Sequence, residues 1–145
     1  MICVDASLAA KWVLPEEYSK EALALYRASA NAGESIVAPT LLPYEVTNIL
    51  RLRTSRAALS LADARTLLTR FLAFPVLLQS SSSLHERALN LAARFDLPAT
   101  YDAHYLALAE QAACPFWTDD RRLLRQLNGR APYARWIGDY REATP

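Results

Sequence analysis

The chain has 145 residues, 52% of them hydrophobic and 21% charged, and this balance predicts one globular domain over residues 1–145. A formal net charge of +1 excludes a strong basic field that would draw nucleic acid to the whole surface. No run approaches the ~20 apolar residues of a membrane span, so we expect a soluble, cytoplasmic protein with no membrane partner.

Short apolar runs alternate with helical patterns along the chain. We predict strands over 1–4, 35–39, 75–78, 114–117 and 134–137, and helices over 8–14, 19–32, 40–56, 61–73, 84–95, 101–113 and 118–128. Ser7 is expected to cap the first helix, while Ser60-x-x-Asp63 and Ser83-x-x-Glu86 have the spacing of capping boxes. This alternation predicts the α/β class, as a three-layer α/β/α fold with a parallel sheet of about five strands.

Asp5 stops the first strand abruptly. In an open parallel sheet the C-terminal ends of the strands lie at one edge, together with the N-termini of the helices that follow, and ligands bind there. The end of a buried strand offers no routine structural use for a carboxylate. Asp5 is therefore a candidate ligand, whereas Cys3 and Cys114, in apolar runs, are expected to be reduced core residues.

Three other acids have helical phases that turn them toward the core. Asp102 heads an apolar stripe, and Glu45 lies at the margin of one. Asp120 shares a face with leucines, whereas Asp119 is rotated from it by about 100 degrees. Each has a structural alternative, because the helix dipole favours an acid in a first turn and Glu45 could pair with an arginine.

These acids are expected to converge on the ligand-binding edge of the sheet. Two carboxylates about 4 Å apart repel by about 1 to 4 kcal/mol at surface-like dielectric constants, so four together oppose folding. A hard divalent cation removes that penalty, and Mg²⁺ and Mn²⁺ prefer oxygen ligands. The sequence thus predicts a metal site formed by Asp5, Glu45, Asp102 and Asp120.

Four motifs resemble a known family when they are taken together. They are V-D-A-S (4–7) with K-W (11–12), A-P-x-L-x-x-Y-E-V-x-N-x-L (38–50), Y-D-A-x-Y-L-A-L-A-E (101–110) and T-D-D-R-R-L (118–123). The chain resembles the PIN-domain ribonucleases, in particular the VapC-type toxins of bacterial and archaeal toxin–antitoxin pairs. The resemblance implies a parallel sheet of about five strands and places the acidic quartet of the family on the four acids above. It also implies supporting roles for Ser7, Asn48 and Thr118.

The activity that the resemblance implies is hydrolysis of RNA phosphodiesters by a metal-activated water, with Mg²⁺ or Mn²⁺ as cofactor. It also implies a VapB-type antitoxin as partner. Helices 40–56 and 60–73, with Phe71 and Phe74 at the far end, are the candidate surface for a homodimer and for the antitoxin. Basic residues near the acidic site are candidates for substrate binding, namely Lys11, Arg121, Arg122 and Arg125.

Other functions are compatible with parts of this pattern. One is a catalytically silent RNA or protein interaction module of the same fold, and another is a PIN-like nuclease acting on DNA or structured RNA outside a toxin–antitoxin pair. A two-histidine ribonuclease mechanism is disfavoured, because His104 lies opposite Asp102 on its helix and His85 lies in a first turn. Glu16 or Glu17 matches an acid frequent in the family, without an assigned role.

Overall fold

The sheet has five strands, all parallel. The computed structural model describes residues 1–142, and residues 143–145 of the predicted domain lie outside the described part. The strands are β1 (Ile2–Val4), β2 (Ile36–Pro39), β3 (Val76–Gln79), β4 (Phe116–Thr118) and β5 (Ala134–Trp136). Their order is β3-β2-β1-β4-β5, and every neighbouring pair is parallel. The predicted parallel sheet of about five strands is confirmed.

Helices separate the strands along the chain. They are α1 (Ala6–Ala9), continued by a 3-10 turn (Ala10–Trp12), then α2 (Ser19–Asn31), α3 (Leu42–Ser55), α4 (Leu61–Leu72), α5 (Ser82–Phe95), α6 (Tyr101–Gln111) and α7 (Arg121–Leu127), with a last 3-10 turn at Ile137–Asp139. Within residues 1–142 no helix combines the length and apolar character that crossing a bilayer requires. The alternation gives the α/β/α arrangement that the sequence predicts.

The centre of the sheet is buried on both faces. Every residue of β1 and β2 is buried, as is usual for parallel strands covered by helices on both sides. Helix α6 packs against β1, β2 and β4, and its residues 105–109 are all buried. Because the middle of α6 is anchored in the core, packing limits where its first turn can place Asp102.

Two helix starts test the predicted capping boxes. The Ser60 hydroxyl accepts the Asp63 N–H at 3.0 Å and donates to the Asp63 carboxylate at 2.7 Å, as predicted. The box assigned to Ser83 is wrong, because α5 starts at Ser82 and the hydroxyl of Ser81 accepts the Leu84 N–H at 3.1 Å. Four consecutive serines precede Leu84, so the spacing alone could not choose the cap.

Phe71 and Phe74 belong to the interior, which corrects their prediction as surface residues. Phe71 is 4% exposed, and its ring centroid lies 6.5 Å from that of Trp12. Phe74 stacks on Trp12 at 4.9 Å and meets Tyr26 edge-on at 4.8 Å. The exposed apolar side chains of this region are leucines instead, at Leu52, Leu61 and Leu72 of α3 and α4 and at Leu77 and Leu78 of β3.

Both cysteines are free thiols with buried side chains. Cys3 lies in β1, and its thiol lies 3.6 Å from the carbonyl oxygen of Tyr105. Cys114 lies just before β4 and not within a strand. Their predicted burial as reduced core residues agrees with the structure, apart from this shift.

Candidate active site

A cavity of about 490 Å³ lies at the C-terminal edge of the sheet, and all four predicted acids line it. Asp5 follows β1, Glu45 and Asp102 lie in the first turns of α3 and α6, and Asp120 follows β4. We call it the acidic cavity, defined by these four carboxylates. Asp119 does not line it, which agrees with the helical phase that separated Asp120 from its neighbour.

Asp5 is buried and is surrounded by hydrogen-bond donors. Its Oδ1 accepts the Ser7 hydroxyl at 2.7 Å and the Leu8 N–H at 3.0 Å, and its Oδ2 accepts the Thr118 hydroxyl at 2.5 Å. Burial raises the pKa of Asp5 from 3.8 to about 7, although these donors oppose the rise, and repulsion from Asp102 adds to it. The carboxylate is therefore held in one orientation and is costly to ionise without a counter-charge.

Asp5 is also the N-cap of α1, the role that the sequence suggested for Ser7. Ser7 instead connects two loops, because its hydroxyl oxygen donates to Asp5 and accepts the Asp119 N–H at 2.9 Å. The prediction of Ser7 as a helix cap is wrong, whereas its place beside the acids matches a supporting role. The tie holds the start of α1 against the turn after β4.

The turn after β4 positions Asp120. The Thr118 oxygen accepts the Asp120 N–H at 2.8 Å while its proton goes to Asp5, so one buried hydroxyl links the two acids. Asp120 caps α7, with Oδ1 accepting the N–H groups of Arg122 at 2.8 Å and Leu123 at 3.1 Å. The capping role and the cavity-lining role coexist, because the cap uses only one carboxylate oxygen.

Glu45 and Asp102 are half-buried. Glu45 Oε2 accepts the Tyr105 hydroxyl at 2.5 Å, and burial together with repulsion from Asp102 raises the pKa of Glu45. Burial also raises the pKa of Asp102, with repulsion from Asp120 adding to it and the positive charge of Arg122 opposing it. The negative charge of Asp102 thus acts on both Asp5 and Glu45. The negative charge of Asp120 in turn contributes to the raised pKa of Asp102.

The chemistry of the donors fits a hard divalent cation. Within residues 1–142 none of the four carboxylates forms a salt bridge, so each faces the cavity without a partner of opposite charge. The described residues contain no compact group of three or more His, Cys, Asp or Glu side chains at metal-ligating separation. The acids therefore share one cavity without forming a tight cluster, and their oxygens are of the type that Mg²⁺ and Mn²⁺ take.

Lys11 is not available to a substrate, which corrects its predicted role. Its side chain is 5% exposed, and its Nζ lies 2.8 Å from Asp119 Oδ2 and 3.3 Å from Glu16 Oε2. Trp136 Nε1 donates to the other Asp119 oxygen at 3.2 Å, and Arg53 pairs with Glu16. The ion pair holds Asp119 from behind the cavity, which gives this acid and Glu16 a structural role.

Two of the three arginines after Asp120 lie beside the Trp136 ring, and the third lies near the acids. Arg122 lies close enough to Asp102 for its charge to lower the pKa of that carboxyl. The Arg121 guanidinium lies 4.6 Å from the ring centroid of Trp136, and Arg125 lines a shallow hollow beside the same ring. Arg122 is therefore the one of the three that acts on the acids.

Asn48 and three tyrosines complete the lining of the cavity. Asn48 is exposed at the rim, one turn after Glu45, with no hydrogen bond to the acids among the described residues. Tyr44, Tyr101 and Tyr105 also line the cavity, and the sequence did not single them out. For Tyr105 the available signal is its position three residues after Asp102, on the same helical face.

The histidines lie outside the acidic cavity. His85 Nδ1 and His104 Nε2 are 2.9 Å apart, and His104 Nδ1 donates to the Thr100 carbonyl oxygen at 2.6 Å. The pair bridges α5 and α6. The geometry gives both rings a structural partner and offers nothing to a two-histidine mechanism at the acids.

Comparison with known proteins gives a consistent family. The PIN domain model matches residues 2–128. Ribonuclease VapC9 of Mycobacterium tuberculosis and VapC ribonuclease Mb0985 of Mycobacterium bovis are each 32% identical over 123 residues, which cover 85% of this chain and 88% of the relative.

Solved structures show the same fold. PAE2754 from Pyrobaculum aerophilum has a TM-score of 0.68 and 26% identity, covering 94% of this chain and 83% of that chain. Mycobacterium tuberculosis VapC20, described as a sarcin-ricin loop cleaving toxin, has a TM-score of 0.64 over 100% of both chains, and at 16% identity it shows likeness of fold alone. A parallel sheet between helices, with four acids in one cavity at its C-terminal edge, places the chain among α/β domains with an acidic site. The chain belongs to the PIN-domain family, and its curated relatives are VapC ribonucleases.

We expect the metal-free protein to lose stability as the pH rises from about 4 to 7. The folded-state pKa of Asp5 is raised from 3.8 to about 7, so the folded protein binds this proton more tightly than the unfolded chain does. The resulting stabilisation is complete below pH 4 and is lost as the pH passes 7, and it amounts to at most about 4 kcal/mol.

The measurement is urea denaturation in chelator across this pH range. The quantity to follow is the difference between wild type and Asp5→Asn, because titrating groups that do not interact with Asp5 contribute equally to both. A difference that is flat, or that grows in favour of wild type with rising pH, would contradict the buried, repelled carboxyl.

Lys11→Met should destabilise the protein by about 3 to 5 kcal/mol, since it leaves the Asp119 carboxylate near the core without its counter-charge, while Glu16 keeps Arg53. Lys20→Met is the matched control, because Lys20 is exposed on α2 and its loss should stay within about 0.5 kcal/mol. Adding Asp119→Asn to Lys11→Met should recover part of the loss. Urea denaturation measures all four proteins, and a cost below 1 kcal/mol for Lys11→Met would refute the buried pair.

Proposed function

We propose that this chain is a divalent-metal-dependent endoribonuclease that hydrolyses RNA phosphodiesters with Mg²⁺ or Mn²⁺, and that it is the toxin of a VapBC-type toxin–antitoxin pair. One observation carries the proposal. Four carboxylates without a salt-bridge partner line a single cavity in a PIN-domain chain. The ribonuclease names of its relatives support RNA as the substrate.

The four acids would hold the cation, and their surroundings prepare them for it. A bound divalent ion supplies Lewis acidity, which lowers the pKa of water and neutralises charge on the phosphate. The hydroxyls of Ser7 and Thr118 hold Asp5 in place before any ligand arrives. Such preorganisation spares the site from reordering these groups during the reaction.

Two further groups act on the other acids. The Tyr105 hydroxyl keeps its proton, because burial raises its pKa well above the usual range, so it can only donate to Glu45 Oε2. That bond fixes Glu45 with its other oxygen free. Arg122, whose positive charge lowers the pKa of Asp102, lies near the acids, and its guanidinium would pair with the oxygens of a phosphate bound there.

The alternatives make different demands on the same residues. A catalytically silent module of this fold has no need to keep in one cavity four acids that form no salt bridge within residues 1–142, at a cost to folding. A nuclease acting on DNA would share the acids and differ in substrate. The four acids in one cavity therefore favour an enzyme, and a comparison of RNA with DNA distinguishes the two nucleases.

Asp102→Asn should lower the rate of metal-dependent cleavage by about 100-fold or more. Loss of a residue that only supports a metal ligand costs about 10- to 100-fold, and loss of a ligand should cost more. In chelator the same variant should be more stable than wild type by about 1 kcal/mol or more, because the central repelling charge is gone. Mn²⁺ at a hundredfold excess over Kd should stabilise wild type by about 2.7 kcal/mol and the variant much less.

The assay incubates purified protein with RNA, or with DNA of the same sequence, in Mg²⁺, Mn²⁺ or chelator, and thermal unfolding follows metal binding. Asp139→Asn is the matched control, because Asp139 is exposed and does not line the acidic cavity. An Asp102→Asn variant that still cleaves RNA, or that is less stable than wild type in chelator, would reject the proposed metal site.

We also propose that the protein forms a homodimer, and a larger complex with its antitoxin, through the exposed leucines of α3, α4 and β3. Leu61, Leu72 and Leu77 are 67%, 59% and 52% exposed, and β3 is an edge strand with a free side. Light scattering at micromolar concentration should give the dimer mass, and Leu61→Lys with Leu72→Lys should give the monomer. A monomeric wild type would count against this surface.

A further inference from the structure

Nearly all aromatic rings in residues 1–142 are engaged by other groups of the protein. Ring pairs join Trp12 with Tyr26, Phe71 and Phe74, Tyr18 with Trp136, Tyr105 with Phe116, and Trp117 with Tyr140, while arginines cover Phe95 and Glu110 accepts the Tyr133 hydroxyl. Tyr44 and Tyr101 are different. Within the described residues neither has a ring pair, a cation–π contact or a hydroxyl hydrogen bond, and they are 78% and 64% exposed.

Both free rings line the acidic cavity. Tyr44 directly precedes Glu45 in the first turn of α3, and Tyr101 directly precedes Asp102 in the first turn of α6. Two separate helices thus present the same pair of residues, an exposed tyrosine followed by an acid that faces the cavity. Packing does not account for this, because a ring that is mostly in water contributes little to the stability of the fold.

The low net charge of the chain indicates that exposed rings could contribute to affinity for a nucleic acid. A net charge of +1 gives weak general attraction for a polyanion, and of the three arginines after Asp120 only Arg122 acts on the acids. A further source of affinity for a nucleic acid would therefore add to ion pairing. Stacking of bases on aromatic rings is such a source, and it tolerates any sequence because every base has a π-face.

We propose that Tyr44 and Tyr101 bind the substrate by stacking on the bases next to the phosphate held at the acids. The inference rests on the proposed ribonuclease function. Each ring lies beside a carboxylate of the metal site, so a base stacked on it places the adjoining phosphate over that site. The rings thus recognise bases, while the acids and Arg122 take the phosphodiester.

The test is binding of a fluorescent single-stranded oligoadenylate, compared with an abasic ribose-phosphate oligomer of the same length and charge. Fluorescence anisotropy is recorded in the Asp102→Asn background without added metal, so that the comparison depends on neither cleavage nor metal binding. Tyr44→Ala and Tyr101→Ala should each weaken oligoadenylate binding by about 5- to 100-fold, the range that loss of one stacked base gives. Binding of the abasic oligomer should change by less than about twofold on the same grounds.

Two controls separate the ring from the rest of the side chain. Tyr44→Phe and Tyr101→Phe keep the ring and should bind within about twofold of the parent, because stacking needs no hydroxyl. Leu89→Ala removes a side chain that is 63% exposed on α5, outside the cavity, and should change nothing. All these residues are exposed, so the variants should unfold within about 0.5 kcal/mol of the parent.

Several results would overturn the inference. One is that the alanine variants bind oligoadenylate as tightly as the parent. Another is that they lose as much affinity for the abasic oligomer, and a third is that the phenylalanine variants lose as much affinity as the alanine variants. Binding of an antitoxin peptide that falls while oligoadenylate binding stays constant would assign the rings to the protein partner instead. Failure of the ribonuclease proposal is visible separately, as absence of metal-dependent cleavage by wild type.

Discussion

The repulsion between carboxylates at one edge of the sheet constrains the rest of this structure. Burial raises the pKa of Asp5, Glu45 and Asp102, and repulsion adds to the rise, from Asp102 at Asp5 and Glu45 and from Asp120 at Asp102. A fold tolerates such an arrangement only if other contacts hold each acid in place. The donors around Asp5 and the tyrosine hydroxyl at Glu45 do so, and within residues 1–142 none of the four acids forms a salt bridge.

A second layer of contacts stabilises the backbone that carries the acids. Ser7 and Thr118 tie the loop after β1 to the turn after β4, so two neighbouring strands present their acids in a fixed relation. Behind that turn the Lys11 ammonium is shared between Asp119 and Glu16. The chain thus uses the first aspartate of T-D-D, Asp119, for structure and the second, Asp120, for the cavity.

Local pattern predicted the features that depend on local geometry. Alternating elements gave the parallel sheet, and helical phase distinguished Asp120 from Asp119, because both depend only on the fixed periods of strands and helices. Tertiary contacts decided what the sequence missed. Lys11 was predicted to lie at the surface because lysines are seldom buried, and only its partner Asp119 explains its burial. Phe71 and Phe74, near the end of a helix, turn inward because the ring of Trp12 is there to pack against.

Capping divides the four acids into two kinds, with an evolutionary consequence. Asp5 and Asp120 begin α1 and α7 through hydrogen bonds to backbone N–H groups, so selection for folding alone would retain them. Glu45 and Asp102 cap no helix. A homologue that has lost catalysis should therefore change first at the positions of Glu45 and Asp102, while its aspartates at the helix starts persist. Those two positions are the ones that distinguish active members of the family from inactive ones.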